Sequence, residues 1–380
     1  MLSLYLLGML LTLVISIMEV ARGRALNFYI FQAATIDFWS GFSPYIEWSS
    51  RHNMDVFIYL PPFMPLFSVF AILPRWLGAI AWNTINFNLF FLAITMMPGI
   101  KIKDKRFLFL YPLFFLAQTL FSFQYNLAIV YLFLFSFIFL EKKQYWLAIL
   151  MIVISGMTKV YGFFELAILV LYPQFWRNLA RTIALVTLFF LLPVIKVGFD
   201  GLLSLYTGWF EAINIHSYRQ FETMTRLILV TTRQDVYDYG NLILALVGSI
   251  VALVVTIRRK IFSSSLKMRY QVLGILMATI PLWGTNSESH TYIIAVVGYA
   301  LWYIATKPHT LFEKILLWSN FIVLGLMPID LFCPQQVFDI VFKSMAINII
   351  IFLVIWIRML YITLFKQVGA KIKINQISST

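Results

Sequence analysis

Charge is scarce in this sequence. Asp, Glu, Lys and Arg together make up 12% of its 380 residues, whereas hydrophobic residues make up 61%. A soluble domain averages about 25% charged and roughly half apolar residues. The composition therefore excludes an ordinary soluble domain, and lipid is predicted to be the main solvent of the chain.

Cysteine is almost absent, since Cys333 is the only one. A single cysteine excludes an intrachain disulfide and a metal site built from several cysteines. The chain also has no P-loop, no GxGxxG after a strand, no HExxH and no serine nucleophile elbow. Cytosolic nucleotide chemistry is therefore not expected, and we expect no cofactor.

Acidic residues are fewer than basic ones, 16 against 29, which gives a net charge of +13. In a soluble protein this excess would suggest nucleic acid, but here the distribution indicates membrane topology and no nucleic acid. By the positive-inside rule the basic loops are predicted to be cytoplasmic. Most of the acidic residues then lie in external segments. The basic loops are residues 101–106, 142–143, 177–181, 258–260 and the tail 358–373.

Apolar runs recur along nearly the whole chain and predict an all-α, polytopic transmembrane helix bundle of about 11–13 spans. One domain is expected over residues 1–380, with an external segment at 21–57 that contains interfacial helices, a second one at 199–239 and a basic cytoplasmic tail at 358–380. Two full crossings between residues 58 and 97 would place the basic loop 101–106 outside. One segment within 58–140 is therefore predicted to be broken, re-entrant or merged with its neighbour. The predicted spans are 2–20, 58–74, 77–97, 107–122, 126–140, 145–158, 161–174, 179–198, 241–257, 270–285, 291–306, 311–329 and 338–357.

Short motifs follow one another in a fixed order along the chain, and this order resembles glycosyltransferase family 87, whose members are membrane enzymes that use polyprenyl-phosphate sugars. A DxFxYxP-like pattern, matched by Asp55, Phe57, Tyr59 and Pro61, resembles in particular members from Bacteroidetes-like bacteria. The motifs are Asn27-Phe28, Ala33-Ala34, Gly41, Pro44-Tyr45, Phe57, Tyr59, Pro61-Pro62, Gln124 with Asn126, Lys159, Tyr206 to Trp209, and Ser287 to Tyr292.

The resemblance implies a helix bundle in which the first external segment forms the lid and floor of the active site. It also implies a metal-independent, inverting transfer of a hexose, often mannose, from a polyprenyl-phosphate donor to a lipid or glycan acceptor. The expected location is the bacterial inner membrane, with the active site facing the periplasm. Two alternatives remain: a secondary transporter or flippase of lipid-linked sugars, and a membrane polysaccharide polymerase or ligase. The long first external segment favours the transferase.

Such a transfer needs a carboxylate as general base on the acceptor hydroxyl. The family's usual aspartate falls on Asn27, which cannot act as a base at neutral pH, so Asn27 is predicted to bind substrate instead. The predicted catalytic carboxylate is Asp55, followed by Glu47 and then Asp37. Each of them could alternatively only solvate the segment or form an ion pair there.

Lys159 interrupts an apolar run, and a lysine costs roughly 2.5–3.5 kcal/mol inside a span, so it is a functional candidate. It is predicted to bind the donor phosphate, as the family's lysine does; the alternative is that it extends to the membrane interface. Gln124 and Asn126 could bind sugar or phosphate, or could cap helix ends. Tyr59, Glu288 and His290 are also predicted to bind substrate, although a lone loop histidine is often without a function.

Overall fold

The structure is a computed structural model that describes residues 1–45, 52, 54–215, 222–285, 287–329 and 332–366. The predicted all-α fold is confirmed, because these residues form helices and no strand. The α-helices are Leu2–Ala21, Leu26–Ser40, Phe63–Ala71, Arg75–Met96, Ile102–Leu110, Leu113–Ser122, Asn126–Glu141, Tyr145–Thr158, Phe175–Leu191, Val194–Ile215, Met224–Thr232, Gly240–Ile257, Arg259–Phe262, Leu266–Trp283, Ile293–Ala305, Leu311–Asn320, Gln335–Phe338 and Ile347–Tyr361. Segments of 3₁₀-helix are Val160–Leu171, Tyr237–Tyr239 and Ser289–Tyr292, and segments of π-helix are Phe321–Leu326, Asp339–Ser344 and Ile362–Lys366.

Within the described residues, 4 helices are long and apolar enough to cross a membrane: Leu2–Ala21, Arg75–Met96, Tyr237–Ile257 and Ile347–Phe365. A fifth span arises if Phe175–Leu191 and Val194–Ile213, which are bent by 92° at their junction, form one crossing. Other apolar helices of 10–17 residues lie between them. The polytopic membrane fold is thus confirmed, while the figure of 11–13 crossings stays a prediction.

The segment predicted to span at 58–74 forms only the helix Phe63–Ala71, of 9 residues. At 1.5 Å per residue this helix rises about 14 Å, short of the roughly 30 Å of a hydrocarbon core. Gln32 Nε2 donates to Ala71 O at 3.2 Å and to Leu73 O at 2.9 Å, so a side chain satisfies backbone carbonyls where the helix ends. We therefore assign the broken segment here. With Arg75–Met96 as the one crossing between residues 58 and 97, the loop 101–106 would meet the positive-inside rule for a cytoplasmic N-terminus; this topology stays a prediction.

The chain divides into two compact units. The first unit comprises Met1–Arg106, Leu116–Phe163 and Gln174–Tyr218, and the second comprises Phe107–Phe115, Phe164–Pro173 and Arg219–Thr380. A single membrane domain over the whole chain stays a prediction.

In the first unit, the helix Arg75–Met96 packs between Leu2–Ala21 and Asn126–Glu141. A buried amide fixes this packing: Asn83 Nδ2 donates to Ser16 Oγ at 3.0 Å and to Leu120 O at 2.9 Å. Hydrogen bonds of this kind between helices replace the hydrophobic driving force that lipid does not supply.

In the second unit, the helices Leu266–Trp283 and Ile293–Ala305 cross at two glycines. A Cβ atom on Gly274 would lie 2.4 Å from Gly298 O, and one on Gly298 would lie 2.7 Å from Gly274 O. Only residues without a side chain allow the two backbones to approach this closely. The same unit contains an apolar cavity of about 300 Å³ between its helices, lined by residues that include Val251, Trp283 and Trp356.

Candidate active site

A helical hairpin brings Lys159 beside Asn126. The helices Asn126–Glu141 and Tyr145–Thr158 are joined by three residues and pack against each other, so the first residue of one lies near the last residue of the other. Lys159 follows the second helix directly in an extended conformation, and its Nζ donates to Asn126 Oδ1 at 3.1 Å. The negative end of the helix dipole also favours a cation at this position.

A strained turn places Gln124 and Asn126. Phe123 is buried and has φ 53°, a left-handed conformation that costs about 1–3 kcal/mol for a bulky side chain. Side chains from other helices hold the carbonyls around it: Asn27 Nδ2 donates to Ser122 O at 2.7 Å, and Trp82 Nε1 donates to Phe123 O at 3.2 Å. These bonds satisfy the orphan carbonyls at the end of helix Leu113–Ser122.

The aromatic segment 57–60 is held at three backbone positions. Tyr45 Oη donates to Tyr59 O at 2.7 Å, and Trp209 Nε1 donates to Ile58 O at 3.1 Å. Leu60 N donates to Thr158 O at 3.4 Å, which ties the segment to the residue before Lys159. The position of the Tyr59 side chain is therefore set by residues that are distant in sequence.

Five residues predicted from the sequence come together in one connected group. Tyr59 Oη donates to Gln124 Oε1 at 3.0 Å, and Gln124 Nε2 donates to Asn27 Oδ1 at 3.1 Å. Lys159 Nζ lies 4.9 Å from the centre of the Tyr59 ring, within the range of a cation–π contact. We call Asn27, Tyr59, Gln124, Asn126 and Lys159 the Lys159 cluster.

Tyr161 extends this cluster, and the sequence analysis missed it. Its Oη donates to Asn126 Oδ1 at 3.3 Å, and Lys159 Nζ lies 5.6 Å from the centre of its ring. The signal that could have found it is its spacing, two residues after the predicted phosphate ligand.

The chemistry available to the cluster is anion binding. An ammonium group and the N-terminus of the 16-residue helix Asn126–Glu141 lie together, and both favour a phosphate group. The carboxamides and the tyrosine hydroxyl supply donors and acceptors for a sugar.

The model of glycosyltransferase family 87 matches residues 57–281, more than half of the 380 residues. The chain belongs to this family. It is therefore a membrane glycosyltransferase, which decides against the transporter or flippase. No match was found among curated proteins or among solved structures. The match includes Tyr59, Gln124, Asn126 and Lys159, and it begins after Asn27 and the three candidate carboxylates of the first external segment.

Of those three carboxylates of the family 87 chain, the two that the structure describes differ in their surroundings. Asp55 is exposed, and its Oδ1 accepts a hydrogen bond from Val56 N at 2.8 Å. Asp37 is buried in helix Leu26–Ser40, and its Oδ2 lies 2.8 Å from His52 Nε2. Glu47 lies outside the described residues. Burial and pairing make Asp37 the less accessible of the two described acids.

Glu288 and His290 lie in the second unit of the transferase. Glu288 directly precedes the 3₁₀ segment Ser289–Tyr292, and His290 lies within it. The Glu288 Oε2 and His290 Nε2 atoms are 3.0 Å apart. The Glu288 carboxylate also caps the 3₁₀ segment in a capping box with Thr291. These two predicted residues are thus brought together with each other, in a unit other than the one that holds the Lys159 cluster.

A second acidic site in this unit was missed by the sequence analysis. The Glu222 carboxyl accepts hydrogen bonds from Ser289 Oγ and, at 2.7 Å, from Asn348 Nδ2. The pKa of Glu222 is raised from 4.5 to about 7, because burial, aided by the Glu288 charge, outweighs the hydrogen bonds from Ser289 and Asn348 that lower it. We call Glu222, Ser289, Tyr292 and Asn348 the Glu222 cluster.

Among the described residues, no three His, Cys, Asp or Glu side chains form a group that could hold a metal ion. Metal independence stays a prediction from the family resemblance.

Proposed function

We propose that this membrane glycosyltransferase moves a hexose, mannose or a similar sugar, from a polyprenyl-phosphate donor to a hydroxyl group of a lipid or glycan acceptor. The observation that carries the proposal is the Lys159 cluster, in which an ammonium group, a helix N-terminus and three carboxamides lie together. All of its residues except Asn27 lie within the family match. This combination suits a sugar phosphate, because one end of the ligand is anionic and the other offers hydroxyl groups.

In the proposed reaction, the acceptor oxygen attacks the anomeric carbon of the donor while the bond from this carbon to the phosphate oxygen breaks. The phosphate leaves with the bonding electron pair as polyprenyl phosphate. The acceptor proton passes to a carboxylate, so the proposed step uses no metal ion. Because the displacement is direct, it inverts the configuration at the anomeric carbon. Lys159 offsets the charge that develops on the leaving phosphate.

Asp55 is the proposed general base, because it is the exposed carboxylate of the segment that leads into Tyr59. Glu47 and then Asp37 are the alternatives: Glu47 lies outside the described residues, and Asp37 is buried beside His52. A base must reach the acceptor hydroxyl directly or through one water molecule.

The remaining predicted residues are proposed to bind substrate. Gln124, Tyr59 and Asn27 form one hydrogen-bonded row that would orient the sugar, and Asn126 would orient Lys159. Glu288 and His290 are also proposed to bind substrate. The proposed location is the bacterial inner membrane, with this chemistry on the periplasmic face.

The test uses the purified full chain in lipid nanodiscs, supplied with radiolabelled polyprenyl-phosphate mannose and, separately, with other polyprenyl-phosphate hexoses and total membrane lipid as acceptor. We expect transfer of label with release of polyprenyl phosphate from at least one donor, and retention of activity in excess EDTA. Transfer from a nucleotide sugar but from none of the lipid-linked donors would overturn the proposed donor class. Loss of transfer in EDTA that is restored by added metal would overturn metal independence.

A further inference from the structure

Glu222 connects three segments of the second unit that are far apart in sequence. Its backbone N donates to Ser287 O at 2.7 Å, and its backbone O accepts from Tyr292 Oη at 2.8 Å. Its carboxyl accepts from Ser289 Oγ and from Asn348 Nδ2. Residues 287–292 are therefore held on both sides by one residue, and the start of helix Ile347–Tyr361 is held with them.

These residues, which we call the 287–292 turn, carry two ionisable side chains. The Glu288 side chain is 51% exposed and the His290 side chain 16%, and they pair with each other at 3.0 Å. At the other end, Tyr292 is fully buried and packs against Phe352, with 5.3 Å between the ring centres. The turn is thus anchored at Tyr292, whereas its polar end with Glu288 and His290 is more accessible.

The partners of the Glu222 carboxyl allow two hydrogen-bond arrangements. An ionised carboxylate accepts from both Ser289 and Asn348, as observed. A protonated carboxyl has an O–H to donate. Within the described part of the chain, Asn348 Oδ1 is buried and accepts no hydrogen bond, and it would face the carboxyl if the amide turned over. The cluster therefore holds a partner for either protonation state.

The charged and titratable groups that act on the Glu222 carboxyl are few. The Glu288 charge raises the pKa of Glu222, and the Glu288 Oε2 atom lies 3.0 Å from His290 Nε2. The Tyr292 hydroxyl donates to the backbone carbonyl of Glu222 and not to its carboxyl. Ser289 and Asn348 are neutral donors. Among the residues that the structure describes, no cation shifts the pKa of Glu222.

We propose that Glu222 is a positioning residue: it holds the 287–292 turn, and with it the Glu288–His290 pair, and its protonation state selects between two hydrogen-bond arrangements of the turn. That this affects sugar transfer rests on the proposed function. The effect on the order of the turn does not.

The sign of the pH dependence follows from linkage. We call the turn closed when it is packed on Glu222 as observed, and open when Glu222 is exposed to water. The Glu222 pKa is about 7 in the closed turn and returns to the ordinary 4.5 in the open one. A raised pKa means that the closed turn binds the proton more tightly, so closure is most favourable below about pH 4.5. The equilibrium constant for closing the turn falls about tenfold per pH unit between about pH 4.5 and pH 7, on the order of 100-fold in all. Above about pH 7 it is constant.

The first measurement is hydrogen exchange of the full chain in nanodiscs between pH 4.5 and 8, corrected for intrinsic exchange. Protection of the 287–292 peptide should fall with rising pH and level off near pH 7 in the wild type. Glu222→Gln, which cannot ionise, should remove this dependence while the turn stays protected, and Glu222→Ala should lose protection at every pH. Glu211→Gln, which changes an exposed carboxyl in the first unit, is the matched control and should behave as the wild type. A wild-type profile without a change between pH 4.5 and 7, or one that Glu222→Gln does not alter, would overturn the proposal.

The second measurement is kcat/KM for sugar transfer against pH. The wild type should show an inflection near pH 7 that Glu222→Gln removes and Glu211→Gln retains. If the exchange results hold but no lipid-linked donor is used, the proposed function fails while the account of the turn stands. If transfer occurs with the same pH profile in wild type and Glu222→Gln, the link between Glu222 and transfer fails while the proposed function stands.

Discussion

The Lys159 cluster and the Glu222 cluster each hold one ionisable side chain in a largely apolar protein, but they differ in the sign of its charge and in its partners. In the first, a cation lies between tyrosine rings and a carboxamide oxygen. In the second, an acid accepts hydrogen bonds from a hydroxyl and a carboxamide, and burial raises its pKa to about 7. An ammonium group there can bind a phosphate, whereas the acid, with a pKa near neutral pH, can gain or lose a proton. The comparison therefore suggests ligand binding in the first unit and positioning in the second.

The largest expected effect is a loss of kcat when the proposed general base Asp55 is replaced. If Asp55 removes the acceptor proton, Asp55→Asn should lower kcat by on the order of 100-fold or more, because a positioned general base contributes 10²–10⁴-fold. Steady-state sugar transfer in nanodiscs measures this, with Glu211→Gln as an exposed control in the same unit. Wild-type kcat in Asp55→Asn combined with a large loss in Asp37→Asn would move the base to the buried acid beside His52.

Lys159 gives the next largest effect. Replacing it by Met removes a charge-assisted contact to phosphate, worth about 1.5–3 kcal/mol, so the KM for the lipid-linked donor should rise roughly 10–100-fold. Lys159→Arg keeps the charge and should retain part of the affinity, although its planar fork differs from an ammonium. Lys196→Met, at an exposed lysine of the first unit, is the control. An unchanged donor KM together with an unchanged kcat in Lys159→Met would leave this lysine with a purely structural role.

In the Glu222 cluster, Ser289→Ala removes a donor to a carboxyl that is charged above pH 7. We expect a loss of about 1.5–3 kcal/mol in the free energy of unfolding at pH 8, because the hydrogen bond is then charge-assisted. At pH 5 the carboxyl is protonated and the loss should be smaller. Thermal unfolding of both proteins at the two pH values measures the difference. Equal losses at pH 5 and pH 8 would contradict a Glu222 pKa between them.

Much of the fold was predictable because lipid restricts the backbone so strongly. A chain that is 61% hydrophobic has to satisfy its peptide groups within helices, and the long runs at Leu2–Ala21 and Arg75–Met96 were found within a few residues. The break at residues 58–74 was predicted only as one of several segments. Apolar composition alone does not distinguish a crossing from the short helix Phe63–Ala71, whose end depends on Gln32, 39 residues before Ala71.

The two clusters differ in how visible they were from the sequence. Lys159, Gln124 and Asn126 interrupt apolar runs, and a polar residue in such a run stands out because its burial is costly. Glu222 lies in a segment with many polar residues, so nothing local marks it. Its partners Ser289 and Asn348 lie 67 and 126 residues away, and burial by those segments is what shifts its pKa. The order of motifs could identify the first group, whereas only the packed structure identifies the second.

The smallest expected effect tests whether the Lys159 cluster is held by its tyrosine hydroxyl or by its rings. Tyr59→Phe removes the donation to Gln124 and keeps the ring beside Lys159. The lost hydrogen bond joins two neutral groups. The free energy of unfolding should therefore fall by about 1 kcal/mol, and the donor KM should rise only a few-fold. Tyr59→Leu also removes the ring face that lies 4.9 Å from Lys159 Nζ, and it should raise the donor KM further. If Phe and Leu at this position raise KM equally, the hydroxyl rather than the ring positions the lysine, and the contrast with the hydrogen-bonded Glu222 cluster disappears.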